Sequence, residues 1–311
     1  MPHLLRALAI AIVVAGCTAT AGPTPAGSPT SGVIGGPSPA GNAAPIAVIG
    51  TENFYADLLD QVGGARVRAT SMLNDPNADP HAFESSPQDA ALVAEAQLVI
   101  VNGLGYDGFM DKLLAASPSP KRVVINVQQL LGVADGANAH IWYDPATMPR
   151  VAAAAAAALG SLDPANASYF NARAALYLDS LQPVAAKIAA MKSRFDGAPI
   201  AFTEPVAAYL ASAIGLKVLG PEGFQKSIED GTDPAPVDVA DEIDLLTGKL
   251  VRVLVYNSQV TTPITSQIHD LAVSNGIPVV GVAETIPAAY GDYQDWQLGQ
   301  LDALEQALAH G

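Results

Sequence analysis

The sequence IAVIGTENFYADLLDQVGG, residues 46–64, places a strand pattern directly before a helix pattern. Ile46 to Ile49 form a short continuous apolar run, which is typical of a strand buried on both faces of a parallel sheet. From Phe54 to Val62 the apolar residues recur at helical spacing, which predicts an amphipathic helix. A strand followed at once by a helix is the repeating unit of α/β proteins, so this stretch predicts that fold class.

The same alternation recurs along the rest of the chain. Ser86 and Asp89 supply a capping box for a helix over residues 87–96. The apolar runs that predict the other strands are Val67 to Thr70, Leu98 to Val101, Val123 to Ile125, Ile200 to Phe202, Val251 to Val255 and Pro278 to Gly281. These strands fall into two sets, which predicts two α/β lobes with parallel sheets.

A long helix is expected between the two sets of strands. Asp163 can cap a helix that starts at Pro164 and runs towards Arg194. Pro183 lies inside this segment, and an interior proline removes a hydrogen bond and clashes with the preceding turn, at a cost of about 3 kcal/mol. The sequence therefore predicts two lobes joined by a long bridging helix with a kink or break at Pro183.

The first residues have the pattern of a bacterial export signal. Arg6 precedes an apolar run over residues 7–14, and small residues stand immediately before Cys17, the only cysteine of the chain. The run VAGC, residues 14–17, resembles a lipobox, in which the cysteine is lipidated and becomes the new N-terminus. We predict a signal peptide over residues 1–16 and lipidation of Cys17. The alternative is an ordinary secretory signal with an incidental cysteine.

Residues 18–44 contain no charged residue and consist almost entirely of Ala, Gly, Pro, Ser and Thr. This composition cannot bury enough apolar surface to fold, so residues 17–44 are predicted to be a lipidated Cys followed by a disordered tether. Such a tether reaches on the order of 30 Å from the membrane. The folded part is then divided into an N-terminal α/β lobe, a bridging helix and a C-terminal α/β lobe, with bounds at 45–162, 163–197 and 198–311.

Charge and composition exclude several classes of function. The chain has 15 Lys and Arg against 30 Asp and Glu, a formal charge of -15, whereas nucleic-acid binding requires clustered Lys and Arg. Cationic partners fit this charge better. A single cysteine excludes a disulfide framework and a Cys-based zinc site within the chain. Because the sequence has no H-E-x-x-H, G-x-S-x-G or Walker motif, no enzymatic activity and no catalytic residue is predicted.

The run GLGYDG, residues 103–108, matches the dinucleotide fingerprint G-x-G-x-x-G. That fingerprint also needs an acidic residue at the end of the next strand, where this chain has Asn126 and Val127. The run is therefore interpreted as a glycine-rich turn between a strand and a helix.

Two histidines stand in loops that precede helices, where parallel sheets place ligand groups. His81 ends the run Asp79-Pro80-His81, and His140 begins the run HIWYDP, residues 140–145. In an acidic exported protein two such imidazoles suggest a divalent cation. Spacing alone leaves open that each is an ordinary hydrogen-bonded loop residue. His269 lies on a predicted helix and is interpreted as a solvated side chain.

Several short motifs occur in an order that is characteristic of one protein family. They are Asn53-Phe54, Val62-Gly63-Gly64, Asp79-Pro80-His81, Asn102-Gly103, His140-Ile141-Trp142, Asp144-Pro145, Tyr169 with Asn171, Ala208-Tyr209-Leu210, Ile214-Gly215-Leu216, Asn275-Gly276-Ile277-Pro278, and Tyr293 with Trp296. Over essentially all of residues 45–311 the chain resembles the metal-binding lipoproteins of zinc and manganese ABC importers, the cluster A-I solute-binding family. The resemblance implies two α/β lobes bridged by a rigid helix, with metal held between them by four side chains.

The resemblance also implies a ligand set. By position, His81 and His140 match the first two ligands, and Glu204 matches a third that is His in many zinc members and Glu in many manganese members. Glu284 matches the fourth, which is usually Asp. The alternative for both glutamates is a solvated acidic loop residue. Asp144 is expected to cap a helix starting at Pro145 rather than to bind metal.

The chemistry of this set fits Mn²⁺ or Zn²⁺ as the transported ligand. Two neutral imidazoles and two carboxylates balance the charge of a divalent cation. If both glutamates chelate, the set supplies up to six donor atoms, and residues 127–139 lack the His-rich loop of many zinc members; both features favour manganese. The Irving–Williams order favours zinc instead.

The function implied is capture of a divalent metal outside the cytoplasmic membrane and its delivery to an ABC permease. The protein is then a monomeric exported lipoprotein, anchored by Cys17 at the outer face of that membrane, at the cell surface or in the periplasm. Two other classes remain open on the same fold. A metal-dependent hydrolase needs a general base, for which no motif is present, and a lipid-anchored adhesin does not need metal.

Overall fold

The computed structural model describes residues 37–41, 43–75 and 83–311. The signal peptide, Cys17 and most of the expected tether lie outside the described residues, as does His81. In the part of the chain that is described, no helix has the length and apolar character needed to cross a membrane.

Eight strands form two separate four-stranded sheets. The first sheet contains β1 (Ile46–Glu52), β2 (Val67–Leu73), β3 (Leu98–Val101) and β4 (Val123–Asn126). The second contains β5 (Pro199–Phe202), β6 (Lys217–Val218), β7 (Val253–Asn257) and β8 (Val279–Val282). All pairings in both sheets are parallel, which confirms the α/β class predicted from the apolar runs.

Twelve α-helices connect and cover the strands within the described residues. The helices around the first sheet are α1 (Asn53–Gly63), α2 (Pro87–Glu95), α3 (Gly108–Ala116), α4 (Val127–Leu131) and α5 (Thr147–Leu162). Between the sheets lie α6 (Ala167–Ser180) and α7 (Gln182–Phe195). The helices around the second sheet are α8 (Ala208–Ile214), α9 (Glu222–Glu229), α10 (Pro236–Thr247), α11 (Pro263–Ser274) and α12 (Tyr293–His310). The predicted capping box at Ser86 and Asp89 is present at the start of α2.

The two sheets have the same topology. The strand order is β2-β1-β3-β4 in the first and β6-β5-β7-β8 in the second. In each sheet the first strand, β1 or β5, therefore pairs with the second strand on one side and with the third strand on the other side. In open parallel sheets a crevice forms outside the carboxyl ends of the strands at this switch point, and ligands bind there.

The segment between the sheets is divided into two helices. The chain passes from α6 to α7 at Leu181, so the break predicted from Pro183 lies two residues before it. Pro183 occupies the first turn of α7, where its missing N–H costs no hydrogen bond.

Asp163 does not cap the helix that follows it, in contrast to the prediction. Its Oδ2 atom instead accepts hydrogen bonds from Nε and Nη2 of Arg66, at 3.0 and 2.7 Å, and from Nδ2 of Asn166, at 2.8 Å. The Arg66 guanidinium is buried, and its ion pair outweighs a cap because a buried charge needs a partner. Two residues before Pro45, which fall in the predicted tether, contact the folded part: the backbone N–H of Ala40 donates to Asn166, and the carbonyl oxygen of Ala43 accepts from Arg66.

One hydrophobic cluster extends through both lobes. It contains Val48 and Leu98 of the first sheet, Phe202 and Val255 of the second, and the fully buried Trp142. Such a shared core resists free movement of one lobe against the other, because packed interiors deform little.

Glu242 on α10 is a buried carboxyl, and within the part of the chain that the structure describes neither of its oxygens has a hydrogen-bond partner. Burial raises the pKa of Glu242 to about 8 from an ordinary value of 4.5. The folded state therefore prefers the protonated form. The contribution of the protonated Glu242 carboxyl to the stability of the folded state is complete below about pH 4.5. This contribution is lost as the pH rises towards 8.

Replacing Glu242 by Gln removes this ionisation and keeps the size of the side chain. We expect Glu242→Gln to gain stability relative to the native protein between pH 5 and pH 8, by about 3 kcal/mol, since each pKa unit corresponds to 1.36 kcal/mol. Urea unfolding at the two pH values measures the difference. The exposed Glu222→Gln on α9 is the matched control and should show no such trend. An equal effect of Glu242→Gln at both pH values would contradict the assignment.

Candidate metal centre

Three side chains converge at the carboxyl edge of the second sheet. Glu204 lies two residues beyond β5, Asn257 is the last residue of β7, and Glu284 lies two residues beyond β8. Because neighbouring parallel strands end at the same edge, these residues approach one another although they are distant in sequence. All three are fully buried.

His140 reaches the same place from the first lobe. It stands before a short 3-10 helix, Ile141–Tyr143, and is fully buried. Its Nε2 atom lies 3.3 Å from Oε2 of Glu284 and 4.0 Å from Oε1 of Glu204. Potential ligand atoms of these three residues all lie within 4.8 Å of one another, which is a spacing that a single metal ion can bridge.

Asn138 determines which nitrogen of His140 faces the carboxylates. Its Oδ1 atom lies 2.7 Å from Nδ1 of His140, and its Nδ2 atom donates to the carbonyl oxygen of Pro205 at 2.6 Å, which fixes the amide orientation. An amide oxygen only accepts, so Nδ1 carries the proton in the neutral imidazole. The lone pair of Nε2 then points at Glu204 and Glu284, as in histidines that ligate metals.

Neutral and polar groups hold the two glutamates. Asn257 donates from Nδ2 to Oε2 of Glu204 at 2.6 Å and to Oε1 of Glu284 at 2.7 Å. The hydroxyl of Tyr106 donates to Oε2 of Glu284 at 2.8 Å, and the backbone N–H of Glu284 donates to Oε1 of Gln259. Burial and the neighbouring Glu284 carboxylate raise the pKa of Tyr106 well above its ordinary value, so this hydroxyl keeps its proton.

The donor set fits a divalent cation. Oxygens of two buried carboxylates and Nε2 of His140 point at one place, and two charged carboxylates at this distance repel each other. A cation there compensates both negative charges and binds the imidazole lone pair. Imidazole nitrogen and carboxylate oxygen suit both zinc and manganese.

Aromatic rings close the first-lobe side of this centre. The ring of His140 lies 5.2 Å from Trp142, whose own ring stacks on Phe54 at 4.7 Å and lies 5.0 Å from Tyr106. Trp142 is fully buried and belongs to the hydrophobic core. Such a surround excludes water and strengthens the interactions of charged groups inside it.

The glycine-rich run is a turn that positions Tyr106. The carboxylate of Asp107 accepts hydrogen bonds from the backbone N–H groups of Asn102 and Gly103, at 2.6 and 3.0 Å. Gly103 and Gly105 have φ values of 83 and 80°, which glycine adopts without strain. The run that resembles a dinucleotide fingerprint therefore folds back on itself and directs Tyr106 towards Glu284.

The other sequence predictions have separate outcomes. The side chain of His269 is 40% exposed on α11 and contacts Asp270, which confirms it as a solvated residue. Asp144 accepts from the backbone N–H of Ala146, but α5 begins at Thr147 and not at Pro145, so its predicted role as the helix cap is wrong. His81 lies outside the described residues, and its role as a ligand stays a prediction.

The sequence does not predict the roles of Tyr106 and Asn257. The glycine-rich run that contains Tyr106 predicts only a turn. The position of Asn257 directly at the end of a predicted strand could have indicated it, since polar groups at the carboxyl ends of parallel strands form ligand sites.

Comparisons with known proteins place the chain in a family. The family model described as zinc-uptake complex component A, periplasmic (ZnuA), matches residues 48–307. The manganese-binding lipoprotein MntA of Bacillus subtilis is 25% identical over 229 residues, covering 70% of this chain and 72% of the relative. The iron-binding protein YfeA of Yersinia pestis is 23% identical over 232 residues, covering 72% and 73%.

A solved structure shares the fold. The periplasmic zinc binding protein TroA from Treponema pallidum superposes with a TM-score of 0.73 at 18% identity, covering 86% of this chain and 99% of that one. Since the ZnuA model spans the larger part of the folded chain, from β1 to α12, this protein belongs to the ZnuA family of metal-binding solute-binding proteins.

Proposed function

We propose that this protein captures a divalent transition metal, Mn²⁺ or Zn²⁺, outside the cytoplasmic membrane and delivers it to an ABC import permease. The observation that carries the proposal is the convergence of His140, Glu204 and Glu284, all fully buried, with ligand atoms within 4.8 Å of one another. The names of relatives for manganese, zinc and iron binding agree with a site of this chemistry.

The proposed ligand set is His81, His140, Glu204 and Glu284. His81 is included because the run Asp79-Pro80-His81 matches the first ligand position of the family. With two neutral imidazoles, two carboxylates and one divalent ion, the occupied site has no net charge, which suits a buried position. Binding and release require no covalent step and no general base, so the proposed function is transport and not catalysis.

The site joins the two proposed lobes. His140 belongs to the segment 45–162, and Glu204 and Glu284 belong to the segment 198–311, with the proposed bridge of residues 163–197 between them. A metal that contacts both segments binds more tightly when the segments are close together than when they are apart. It therefore shifts the population towards the close arrangement, to the extent of that difference in affinity. A permease that recognises this arrangement can distinguish loaded from unloaded protein.

The proposed location follows from the N-terminal sequence. A lipid on Cys17 and the uncharged segment up to residue 44 keep a monomeric protein close to the outer face of the cytoplasmic membrane. The permease lies in the same membrane. Tethering keeps the local concentration of the protein near its partner high.

The first prediction from the proposed function concerns metal-dependent stability. A metal that binds the folded state stabilises it by about 4 kcal/mol at a thousandfold excess over Kd, so Zn²⁺ and Mn²⁺ should raise the melting temperature. Each of His81→Ala, His140→Ala, Glu204→Ala and Glu284→Ala should abolish most of this rise. Thermal unfolding with and without metal, after chelator treatment, measures it.

His269→Ala is the matched control, because it removes a histidine that lies on the exposed side of α11. It should leave the metal-dependent rise unchanged. If His269→Ala abolishes the rise while His140→Ala retains it, the ligand set is wrong. An absence of any rise in the native protein would contradict the proposed function itself.

The second prediction concerns the anchor. Cys17→Ser should prevent incorporation of labelled fatty acid and leave the protein uncleaved or shed, because the only thiol for lipidation is gone. Metal binding by the purified variant should be unchanged, since Cys17 precedes the proposed N-terminal lobe in the sequence. Membrane fractionation and fatty-acid labelling measure the outcome. Undiminished label in the variant would show that Cys17 is not the lipidated residue.

A further inference from the structure

The loop that carries Glu284 is bound by a side chain of the first proposed lobe. Asn53, the first residue of α1, donates from Nδ2 to the carbonyl oxygen of Ile286 at 3.0 Å, and its Oδ1 accepts from the backbone N–H of Ile286 at 2.8 Å. The two residues are 233 positions apart. Asn53 thus exchanges two hydrogen bonds with Ile286, as paired residues of neighbouring strands do, and joins segment 45–162 to segment 198–311.

This pairing fixes both ends of the Asn53 amide. A backbone N–H can only donate and a backbone carbonyl oxygen can only accept, so the oxygen and the nitrogen of the side chain cannot exchange places. The pairing needs one donor and one acceptor on the same side chain. An apolar residue of the same shape makes neither bond.

Two tyrosines of the same segment bind the neighbouring residues of the loop. The hydroxyl of Tyr143 donates to the carbonyl oxygen of Ala283 at 2.6 Å, and the hydroxyl of Tyr106 donates to Oε2 of Glu284 at 2.8 Å. The loop therefore receives hydrogen bonds from the first proposed lobe before, at and after its carboxylate. Asn53 bonds to the backbone two residues after Glu284, so it acts on that carboxylate through the chain.

Asn53 stands on a rigid part of the first proposed lobe. It follows β1, which pairs with a strand on each side, and it precedes Phe54 and Tyr55, which are fully buried. Leu58, one turn further along α1, is also fully buried. Because packed interiors deform little, the position of the Asn53 amide is fixed and the loop is held to it.

We infer that Asn53 is a positioning residue, which holds Glu284 beside His140 through the backbone of Ile286 before a metal arrives. This inference rests on the proposed function. Oε2 of Glu284 lies 3.3 Å from Nε2 of His140, and movement of the loop away from Asn53 separates these two ligand atoms. A metal then meets a site of which this part is already assembled, and binding costs less ordering of the chain.

The loop needs this support because a second buried carboxylate, that of Glu204, lies in the same centre. When both carboxylates are charged they repel each other, which favours arrangements in which the Glu284 loop has moved away. The hydrogen bonds from Asn53 oppose that movement. The apparent Kd rises as the fraction of protein with an assembled site falls, so loss of the pairing weakens metal binding without removing a ligand.

The test compares the native protein with Asn53→Leu, each freed of metal with a chelator. Leucine keeps the branched shape of asparagine but forms no hydrogen bond through its side chain. We expect the Kd for Zn²⁺, measured by competition with an indicator well below the melting temperature, to rise about tenfold or more, since loss of such supporting contacts changes metal affinity by about 10- to 100-fold. Stopped-flow mixing should show that most of this change is slower association, because fewer sites are assembled while the ligands are unchanged.

Asn166→Leu is the matched control, because Asn166 makes the same kind of pairing away from the ligand loops. Its Oδ1 accepts from the backbone N–H of Ala40 at 2.6 Å, and its Nδ2 donates to the carbonyl oxygen of Ala40 at 3.2 Å, over 126 positions. A loss of folding stability alone affects both variants. Asn166→Leu should therefore lower the melting temperature but leave the Kd and both rate constants at their native values.

A measurement on the native protein needs no variant that folds. Amide hydrogen exchange, followed by NMR, reports the opening of individual backbone hydrogen bonds. The N–H of Ile286 should be protected in the metal-free protein, because Asn53 binds it before the metal does. Where Asn53→Leu does not fold, this measurement decides whether the pairing precedes metal binding.

The outcomes separate this inference from the function on which it rests. A native Kd in Asn53→Leu, or a change confined to the dissociation rate, would overturn the inference. An N–H of Ile286 that exchanges freely without metal and is protected only with metal would overturn it as well. In these cases the native protein still binds metal and the proposed function stands. If the native protein retains neither Zn²⁺ nor Mn²⁺, the proposed function is wrong and the inference falls with it.

Discussion

The buried pair of carboxylates, Glu204 and Glu284, is the constraint on which the rest of the centre depends. Two negative charges without solvent contact repel each other and cost several kcal/mol unless they are compensated. The fold supplies donors around them, but Asn257 and Tyr106 carry no positive charge. Because His140 comes from the other sheet's lobe, a cation that completes the compensation also connects the two lobes. Metal affinity and lobe contact are therefore consequences of the same repulsion.

The two sheets have the same strand order, but the buried carboxyl groups at their carboxyl edges have different surroundings. Glu52 ends β1 as a fully buried carboxyl whose oxygens have no hydrogen-bond partner among the described residues. Burial, and then the nearby Asp107, raise the pKa of Glu52 well above its ordinary value. In the second sheet, Asn257 donates hydrogen bonds to both Glu204 and Glu284. The two strand ends therefore differ in the hydrogen-bond donors that neighbouring residues supply.

The sequence predicts the parts of this structure that depend on local pattern. Continuous apolar runs such as Leu98 to Val101 locate the strands, whereas β6, with two exposed residues, is too short to leave a pattern. The role of Asp163 does not follow from local pattern. Its ion pair with Arg66 joins residues 97 positions apart and replaces the helix cap that the local sequence predicts. Tyr106 and Glu284 are separated by 178 positions, and no local pattern links a tyrosine in a glycine turn to a distant carboxylate. Family motifs predicted a ligand set that includes Glu204 and Glu284, but the hydrogen-bond partners of these residues are visible only in the folded structure.

Metal preference illustrates why a ligand list is not enough. The sequence allows six donors, because it counts both oxygens of each glutamate, and that count favours manganese. The oxygens differ, however, since one of each pair is bonded to Asn257. Asn257 donates to Oε1 of Glu284 and Tyr106 donates to Oε2. The surroundings of the two carboxylates are therefore determined by residues outside the predicted ligand set, which a count of ligand residues does not include.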